Sequence, residues 1–562
     1  IARQTMEDAG HPTTQDGGVF SKVSWVSLWG DDTDYTGKSL LDRRLRSDDS
    51  LPIRQSALTF HAVTFPADQP MTTRHGVGID RTTGAASDGA LYEHEFLPRG
   101  TGFNIRITAE GRDGEQKNDT ERKDNKQSDG IPGPAPSDTV KKLLEFIVDV
   151  LTSGAVCLGG RTGSGQGTIQ VIEPKLRRTG KTTDASALTA PVDVLDALIG
   201  EDEEGTPIPL ELGGWSLEEP ARIKITWWSP TGIFVAEDEK LTKQRKTAKE
   251  DENKEKGINE EVHEVVYPLR DPSVAWDEAQ LLIPGTSIRG ALRSRASRIA
   301  RTVLAARREL EPFTSHDLHE QIAAEPNLVR YMFGSTEYRG AVTVHDCLST
   351  KRGKLVEVTH NAIDRWTGGV IDGGLFTEAV YLGTHWEPIT IDIDLRQLLN
   401  NIEAEKGPED KRKAKEAEKR ETEQDDPKDS QQREHVYAPY ARAAYVLLGL
   451  VLAELSAGTL PLGSRSTRGL GQVIVSSIMV RGSTWDGVAI PAKTLSGGEA
   501  LEHPGTATIS PTQDRYDAQR TLAGGVLEYL RDIEGATQWS DRLHEGLQKA
   551  DTGSKGKEKA HE

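Results

Sequence analysis

The sequence predicts an α+β fold built from two tandem copies of one strand–helix–strand–strand–helix–strand plan, the ferredoxin-like (RRM-like) arrangement. Three observations carry this. Four blocks of sequence occur twice in the same order. The second copy reads through the full order of strand and helix patterns, and the first repeats its second half. Polar insertions account for the difference in length between the copies. At 562 residues the chain exceeds one ordinary core, so two domains with linkers are expected.

The first repeated block pairs SLWGD (27–31) with YMFGS (331–335), and the second pairs SALTFHAV (56–63) with GAVTVHDC (340–347). The third pairs VGIDRTTGAASDGALYEHEF (77–96) with NAIDRWTGGVIDGGLFTEAV (361–380), and the fourth LGGRTGSGQGTIQV (158–171) with LGSRSTRGLGQVIV (462–475). His61 and His345 lie 284 positions apart, as do Asp80 and Asp364, whereas Leu158 and Leu462 lie 304 apart. The second copy therefore holds an extra segment, supplied by the Glu-, Lys-, Asp- and Arg-rich run 402–434, which should be mobile or a solvated helix. Residues 32–51 are a polar insertion in the first copy. Residues 282–295 (LIPGTSIRGALRSR) have no counterpart in the first copy, because by the offset it would precede Ile1. The map is a first domain at 1–200 lacking its N-terminal strand and helix start, and an acidic linker at 201–219. A second domain follows at 220–485 with insertions at 235–262 and 402–434. An extension at 486–562 is helical over 515–550, as if to dock on a neighbour, with a disordered end.

In the second copy, 221–228 (ARIKITWW) alternates as a half-buried strand does. Pro284 and Gly285 open an arginine-rich helix that Thr286 or Ser287 is placed to cap. Residues 341–345 and 389–394 read as strands, 441–456 as an apolar helix ending near Gly458, and 473–475 as the last strand. The first copy repeats the second half of this plan as strand 103–107, helix 139–152, a glycine-rich loop and strand 168–172.

Composition narrows the function. Hydrophobic residues make up 35% and charged residues 28%. The apolar run 445–455 is far too short to cross a bilayer, so no membrane partner is expected, and no secretory signal is visible. Two cysteines, Cys157 and Cys347, exclude a disulfide scaffold and any four-cysteine zinc site. These features predict a cytoplasmic chain. The net charge of −19 opposes nucleic-acid binding only if charge is evenly spread, and it is not. Residues 285–308 hold seven arginines and no acid, while acids gather at 200–219, 249–261 and 402–434.

Taken together, IPGTSIRGALRS, MFGS followed by a strand and His345–Asp346, Ile363–Asp364–Arg365 with Trp366–Thr367–Gly368, and LGSRSTRGLGQV resemble the motifs of the RAMP superfamily. Within it they look most like the backbone subunits of type III CRISPR effectors, the Csm and Cmr class of Cas-seven-like proteins. The second copy matches all four motifs and the first matches three. The resemblance covers most of 25–172 and 220–480. It implies two fused ferredoxin-like RAMP domains with β-hairpin thumbs that wedge into the guide–target duplex. It also implies as partners crRNA, target RNA and the other type III subunits: the large subunit, a Cas-five-like subunit, small subunits and further backbone subunits.

Candidate RNA-binding residues follow from chemistry and resemblance together. Gly159, Gly160, Gly163, Gly165 and Gly167 in the first copy, and Gly463, Gly469 and Gly471 in the second, let backbone N–H groups approach a phosphate. Arg161, Arg465 and Arg468 add charge. The competing reading of these loops is a tight helix-to-strand turn. Ser287, Arg289 and Arg293 lie by a helix N-terminus, where phosphate is favoured, though an arginine-rich stretch is also a common solvated face. Residues 81–92 and 365–376 would form the wedges, with Arg81, Arg365 and Trp366 contacting phosphate or stacking on bases. Asp80 and Asp364 are read as turn-organising rather than catalytic, and His61 and His345 as packed strand-end residues.

Type III backbone subunits cut target RNA, so the resemblance implies an acidic residue on the loop after the first strand, with Mg²⁺ or another divalent metal and no zinc. Counting back from YPLRDP (267–272) reaches Val265 rather than an aspartate. Glu264 is the nearest acid, with Glu260 and Glu261 close by, and Asp271 matches a structural position. The leading reading is an RNA-binding scaffold. The alternatives are a metal-dependent endoribonuclease using Glu264 and a guide-processing RNase, for which His263 is the only loop histidine.

Overall fold

In a computed structural model, the described residues are 58–66, 69, 71–109, 137–154, 156–178, 206–213, 220–258, 262, 264–271, 279–306, 315–405, 438–485, 488–502, 513–534, 541 and 543–550. Blocks 27–31 and 32–51, the linker 201–219 apart from 206–213, Glu260, Glu261, His263 and most of 402–434 lie outside them.

Along the chain, β1 (Leu58–Phe60) is followed by the hairpin of β2 (Thr72–Ile79) and β3 (Ala86–Phe96), then β4 (Ile107–Ala109) and α1 (Ser137–Thr152). Strands β5 (Leu176–Arg178) and β6 (Thr206–Ile208) precede β7 (Ala221–Ser229), α2 (Glu239–Glu255), β8 (Val265–Val266), β9 (Leu282–Ile283) and α3 (Gly285–Ala306). Next come α4 (Leu318–Ala323), α5 (Asn327–Phe333), β10 (Val342–Val344) and β11 (Cys347–Lys351). A second hairpin, β12 (Lys354–Ile363) and β13 (Val370–Leu382), leads to β14 (Thr384–Trp386), β15 (Ile389–Ile393), α6 (Leu395–Glu405) and α7 (Ala438–Ser456). The chain continues through β16 (Ile474–Val480), β17 (Ser483–Trp485), β18 (Val488–Ile490), β19 (Lys493–Ser496) and α8 (Gln513–Glu534).

The chain divides into two compact units. The first comprises Ile1–Gln69, Gly102–Leu158 and Thr168–Glu219, and the second Pro70–Thr101, Gly159–Gly167 and Pro220–Glu562. Hairpin β2–β3 and the first glycine loop thus belong to the second unit. In the first unit, α1 turns Val140, Leu143, Phe146, Ile147 and Val150 onto Leu58 and Val156 as its core. Strand β1 pairs antiparallel with β4. The predicted strand 103–107 is displaced to 107–109, and predicted strand 168–172 is reduced to an isolated bridge between Thr168 and Cys157. Gly165 and Gly167, both at positive φ, bend the backbone just before that segment.

In the second unit β10, β15, β7 and β16 lie side by side, every neighbouring pair antiparallel, with β19 beyond β16. In order along the chain these strands, with α3 and α7, give strand, helix, strand, strand, helix, strand. Strand β7 shows why the sheet is one-sided. Ile223 and Ile225 are buried against the helices, while Arg222, Lys224 and Thr226 alternate onto the other face.

Helix α7 runs Ala438–Ser456, longer than the sequence reading, and is the one described helix apolar and long enough to cross a membrane by length and composition. Of that window 78% is buried within the protein. It packs against α8, and Gly449 permits the approach, since a Cβ there would meet Leu530 Cδ2 at 2.4 Å. The C-terminal extension therefore folds back onto its own unit rather than waiting for a neighbour. Leu522, Val526, Leu543 and Leu547 all join the main core. The loop expected at 235–262 carries α2, whose N-terminus is capped by Asp238 through Lys240 N–H at 2.9 Å.

Candidate nucleic-acid interface

The repeated blocks fold into repeated geometry, bond for bond. In hairpin β2–β3, Asp80 N–H donates to Ala85 O at 2.9 Å and Gly84 N–H to Asp80 O at 2.8 Å. In hairpin β12–β13, Asp364 N–H donates to Gly369 O at 2.8 Å and Gly368 N–H to Asp364 O at 2.8 Å. Asp80 Oδ1 accepts from Thr82 N–H, and Asp364 Oδ1 from Trp366 N–H, each at 2.8 Å. Each carboxylate thus closes its own turn, as an Asx turn does. Hydrogen bonds from Gln321 and Thr82 hold Asp80 far below the usual carboxylate range, and the Trp366 backbone N–H lowers Asp364. Both hairpins also shift register at matching points, Val77/Ile79 and Asn361/Ile363. They are longer than the wedges read from sequence, and their turns lie at 80–85 and 364–369.

The glycine loops repeat as well. Ser164 N–H donates to Arg161 O, and Arg468 N–H to Arg465 O, each at 2.9 Å, forming single 3₁₀ turns over Thr162–Ser164 and Ser466–Arg468. Arg161 (φ 56°) and Arg465 (φ 64°) both occupy the left-handed region. That conformation costs an arginine about 1–2 kcal/mol and marks a position where the side chain matters.

The glycines separate into two kinds. A Cβ on Gly165 would meet His345 Cα at 2.7 Å, one on Gly463 Phe234 O at 2.7 Å, and one on Gly471 Leu462 O at 2.5 Å. On Gly163 it would press Arg289 Nη2 at 3.3 Å. These four serve packing. Gly159, Gly160 and Gly469 face open space. Gly159 and Gly469 need their positive φ, but Gly160 has neither a positive φ nor a close neighbour. Its backbone is open to an incoming group.

The two copies differ beneath these loops. Arg465 Nε donates to Glu378 Oε1 at 2.7 Å, and Arg468 Nη1 and His360 Nε2 each lie 3.5 Å from Glu378 Oε2. Glu378 is buried. Its counterpart in the first copy, by the 284-residue offset, is His94. Burial, then Arg161 and Arg74, lower the pKa of His94, and a histidine here offers Arg161 no carboxylate. Arg161 consequently lies exposed with its guanidinium 4.8 Å from the Tyr92 ring centroid, and it makes no ion pair among the described residues.

The remaining predicted residues are placed otherwise. Arg289 Nε donates to Val342 O at 3.1 Å and Nη2 to Phe333 O, and burial lowers its pKa to about 10. Arg293 Nε is forked onto Glu325 at 3.1 and 3.2 Å. Both hold together protein segments rather than presenting free charge. Ser287 and Thr286 do not cap α3, which begins at Gly285. Gly285 N–H donates to Asp346 Oδ1 at 2.8 Å, and Arg74 Nη1 donates to Asp346 Oδ2 at 2.7 Å. The cap comes from a strand end 61 residues away and is braced by hairpin β2–β3. Arg81 is paired with Glu325, whereas Arg365 and Trp366 are exposed. His345 Nε2 lies 2.7 Å from Asp392 Oδ2, and Asp392 also receives the Arg222 guanidinium. His61 Nε2 lies 3.0 Å from Thr108 Oγ1.

Glu264 is half-buried beside β8. The acids placed directly after β7 are Glu237, bound by Arg245 at 2.6 and 2.7 Å, and Asp238, 2.9 Å from His75 Nε2. The helical insertion α2 separates them from the YPLRDP landmark, so counting back from it to Val265 falls short of them. Among the described residues no group of three or more His, Cys, Asp or Glu side chains is placed to hold a metal ion. The acids nearest Glu264 in the sequence, Glu260 and Glu261, and His263 lie outside the described residues.

Solved structures with similar chains include a type IV-B CRISPR complex, at 14% identity over 47% of this chain and 93% of that one, with a TM-score of 0.25. A type III-B Cmr-beta complex bound to cognate target RNA matches at 11% over 47% and 61%, with a TM-score of 0.23. A CRISPR RNA-guided surveillance complex in a pre-nicking state matches at 12% over 56% and 90%, with a TM-score of 0.25. No curated protein matches this chain. Residues 281–474, from β9 to the start of β16 and including the second hairpin and glycine turn, match the family model of the RAMP superfamily.

Proposed function

We propose that this chain is a guide RNA-binding backbone subunit of a CRISPR RNA-guided effector complex, of type III, acting in the cytoplasm. On this reading each copy contributes a glycine turn that grips the crRNA backbone and a hairpin thumb that lies against the guide–target duplex. The observation that carries it is the pair of left-handed arginines, Arg161 and Arg465, at matching points of two identical turns. A turn needs no arginine there, and glycine would be less strained. Such contacts position RNA without reading bases, and pairing with the guide supplies sequence specificity, as in other RNA-guided systems. The exposed apolar side chains along the hairpins, Leu91 and Tyr92 in one and Leu375 in the other, suit contact with unstacked bases.

Arg161→Gly tests the reading. It removes the exposed charge and relieves the left-handed backbone by about 1 kcal/mol. The expected result in the purified chain is a higher unfolding midpoint together with at least fivefold weaker binding of labelled crRNA at 150 mM salt. Unchanged RNA affinity would return both loops to the status of turns.

A further inference from the structure

The two hairpin turns share sequence and backbone, yet only one is docked. Around the turn of β2–β3, Arg81 N–H donates to Gln321 Oε1 at 2.9 Å, and Gln321 Nε2 donates to Asp80 Oδ1 at 2.6 Å. The Arg81 guanidinium pairs with Glu325, whose carboxylate has no exposed surface and is forked by Arg293 on its other side. Thr82 Oγ1 lies 2.8 Å from His316 Nδ1. The acceptor is therefore simple: a glutamine on the short helix α4, and a buried glutamate four residues later. It reads the Asp–Arg pair through both side chains and one backbone N–H.

The turn of β12–β13 presents the same Asp–Arg pair, Asp364 and Arg365, in the same backbone conformation. Arg365 is exposed and makes no hydrogen bond or ion pair among the described residues. Trp366, in the position of Thr82, is 97% exposed. Ile363 and Val370 on the strands beside it are 50% and 57% exposed. A rigid Asx turn that holds out an arginine and a tryptophan, flanked by bare aliphatic side chains, has the composition of a docking anchor.

We infer that the turn Asp364–Gly369 plugs into a neighbouring protein subunit through an acceptor of the same chemistry, a glutamine or other amide next to a buried carboxylate. Arg365 pairs with that carboxylate, Asp364 takes the amide, and Trp366 fills the adjoining apolar surface. The occupant is a separate subunit and not a second copy of this chain, because in each copy the Gln321–Glu325 acceptor is already filled by its own Arg81. Docking of this kind is directional, donor turn to acceptor, so the contact is heterologous. The inference rests on the chain working within an assembly, and it assigns the hairpin tip to protein rather than RNA.

The test uses the complex purified from cells with the full chain, carrying the photo-crosslinking residue p-benzoylphenylalanine in place of Trp366. Irradiation followed by peptide mass spectrometry is expected to give one dominant adduct, on a peptide of a different subunit that contains a glutamate. Arg365→Glu should reduce that adduct at least tenfold and lower the copy number of that subunit per complex. Reversing the charge of the acceptor glutamate should restore both. An adduct mainly on RNA, no adduct, a chain that purifies alone, or a protein adduct indifferent to Arg365→Glu would each overturn the inference. The RNA content of the same preparations is read separately. Loss of RNA points to failure of the proposed function, and loss of the neighbour with RNA retained points to the plug.

Discussion

Gly160 and Gly165 sit five residues apart in one loop, and their alanine variants should behave oppositely. Gly165→Ala forces a side chain to φ 74° and into the His345 backbone, so stability should fall by about 2–4 kcal/mol. Gly160→Ala meets nothing and should leave stability within about 1 kcal/mol while RNA affinity falls; urea denaturation and filter binding read the two effects. The paired arginines differ for a related reason. Removing Arg465 strips the buried Glu378 of its closest partner, so Arg465→Gly should cost about 3 kcal/mol, whereas Arg161→Gly leaves no carboxylate stranded. At the same scale, burial pushes the Cys347 thiol pKa upward, and an alkylating reagent at neutral pH should modify half-buried Cys157 while sparing Cys347 until the protein unfolds. Sequence spacing identified both arginines as equivalent, and only the contrast of His94 with Glu378 tells them apart. That contrast was present in the third repeated block, but nothing local showed that the block lies under the loop.

At the scale of elements, the start of α3 shows where local reading stops. Pro284, Gly285 and the small residues after them announce a helix, and α3 is there. Its cap is not local, because Asp346 arrives from the end of β10 and Arg74 from hairpin β2–β3. Asp346→Ala should therefore destabilise by about 2 kcal/mol, more than an exposed cap would, since it strands Gly285 N–H and Arg74 together; Ser287→Ala should be close to neutral. Thermal unfolding of the two variants settles which residue caps. Arg289 and Arg293 were misleading for the same reason. Their sequence neighbourhood holds no acid, but Glu325 and the Phe333 and Val342 carbonyls fold against them. The hairpins and glycine turns were legible because their geometry is set within a few residues by Asx bonds and positive-φ glycines. Asp392 carries the pH dependence of the sheet. Burial opposes its ionisation, yet hydrogen bonds from His345 and Arg222 prevail and its pKa is lowered. Its contribution is thus present above the unfolded carboxylate range near 3.9 and is lost as pH falls through the lower folded value. Asp392→Asn should flatten the acid limb of the stability curve.

For the whole molecule, the division into units is interleaved: a hairpin and a loop from the first half of the sequence belong to the unit built by the second half. The repeated hairpin turn and glycine turn were legible in the sequence because they depend on local pattern, but this exchange was not, because it depends on which surfaces meet. The net charge of −19 has the same character, being a sum that hides its arrangement. If the sum governed, RNA would be repelled at low salt and bound better as salt screens the repulsion. If the exposed arginines of the glycine turns govern, the opposite holds: each phosphate neutralised releases counterions, and log K falls with log salt by about 0.7 per contact on single-stranded RNA. The chain should therefore bind crRNA with a negative slope between 50 and 300 mM salt. Arg161→Ala should make that slope shallower by about 0.7, because its side chain carries an unshared charge. Arg465→Ala should change the slope less, since its charge is already spent on Glu378. A slope of zero or above in the wild-type chain would mean that the acidic exterior dominates, and that RNA is held by stacking on the hairpins rather than by the glycine turns.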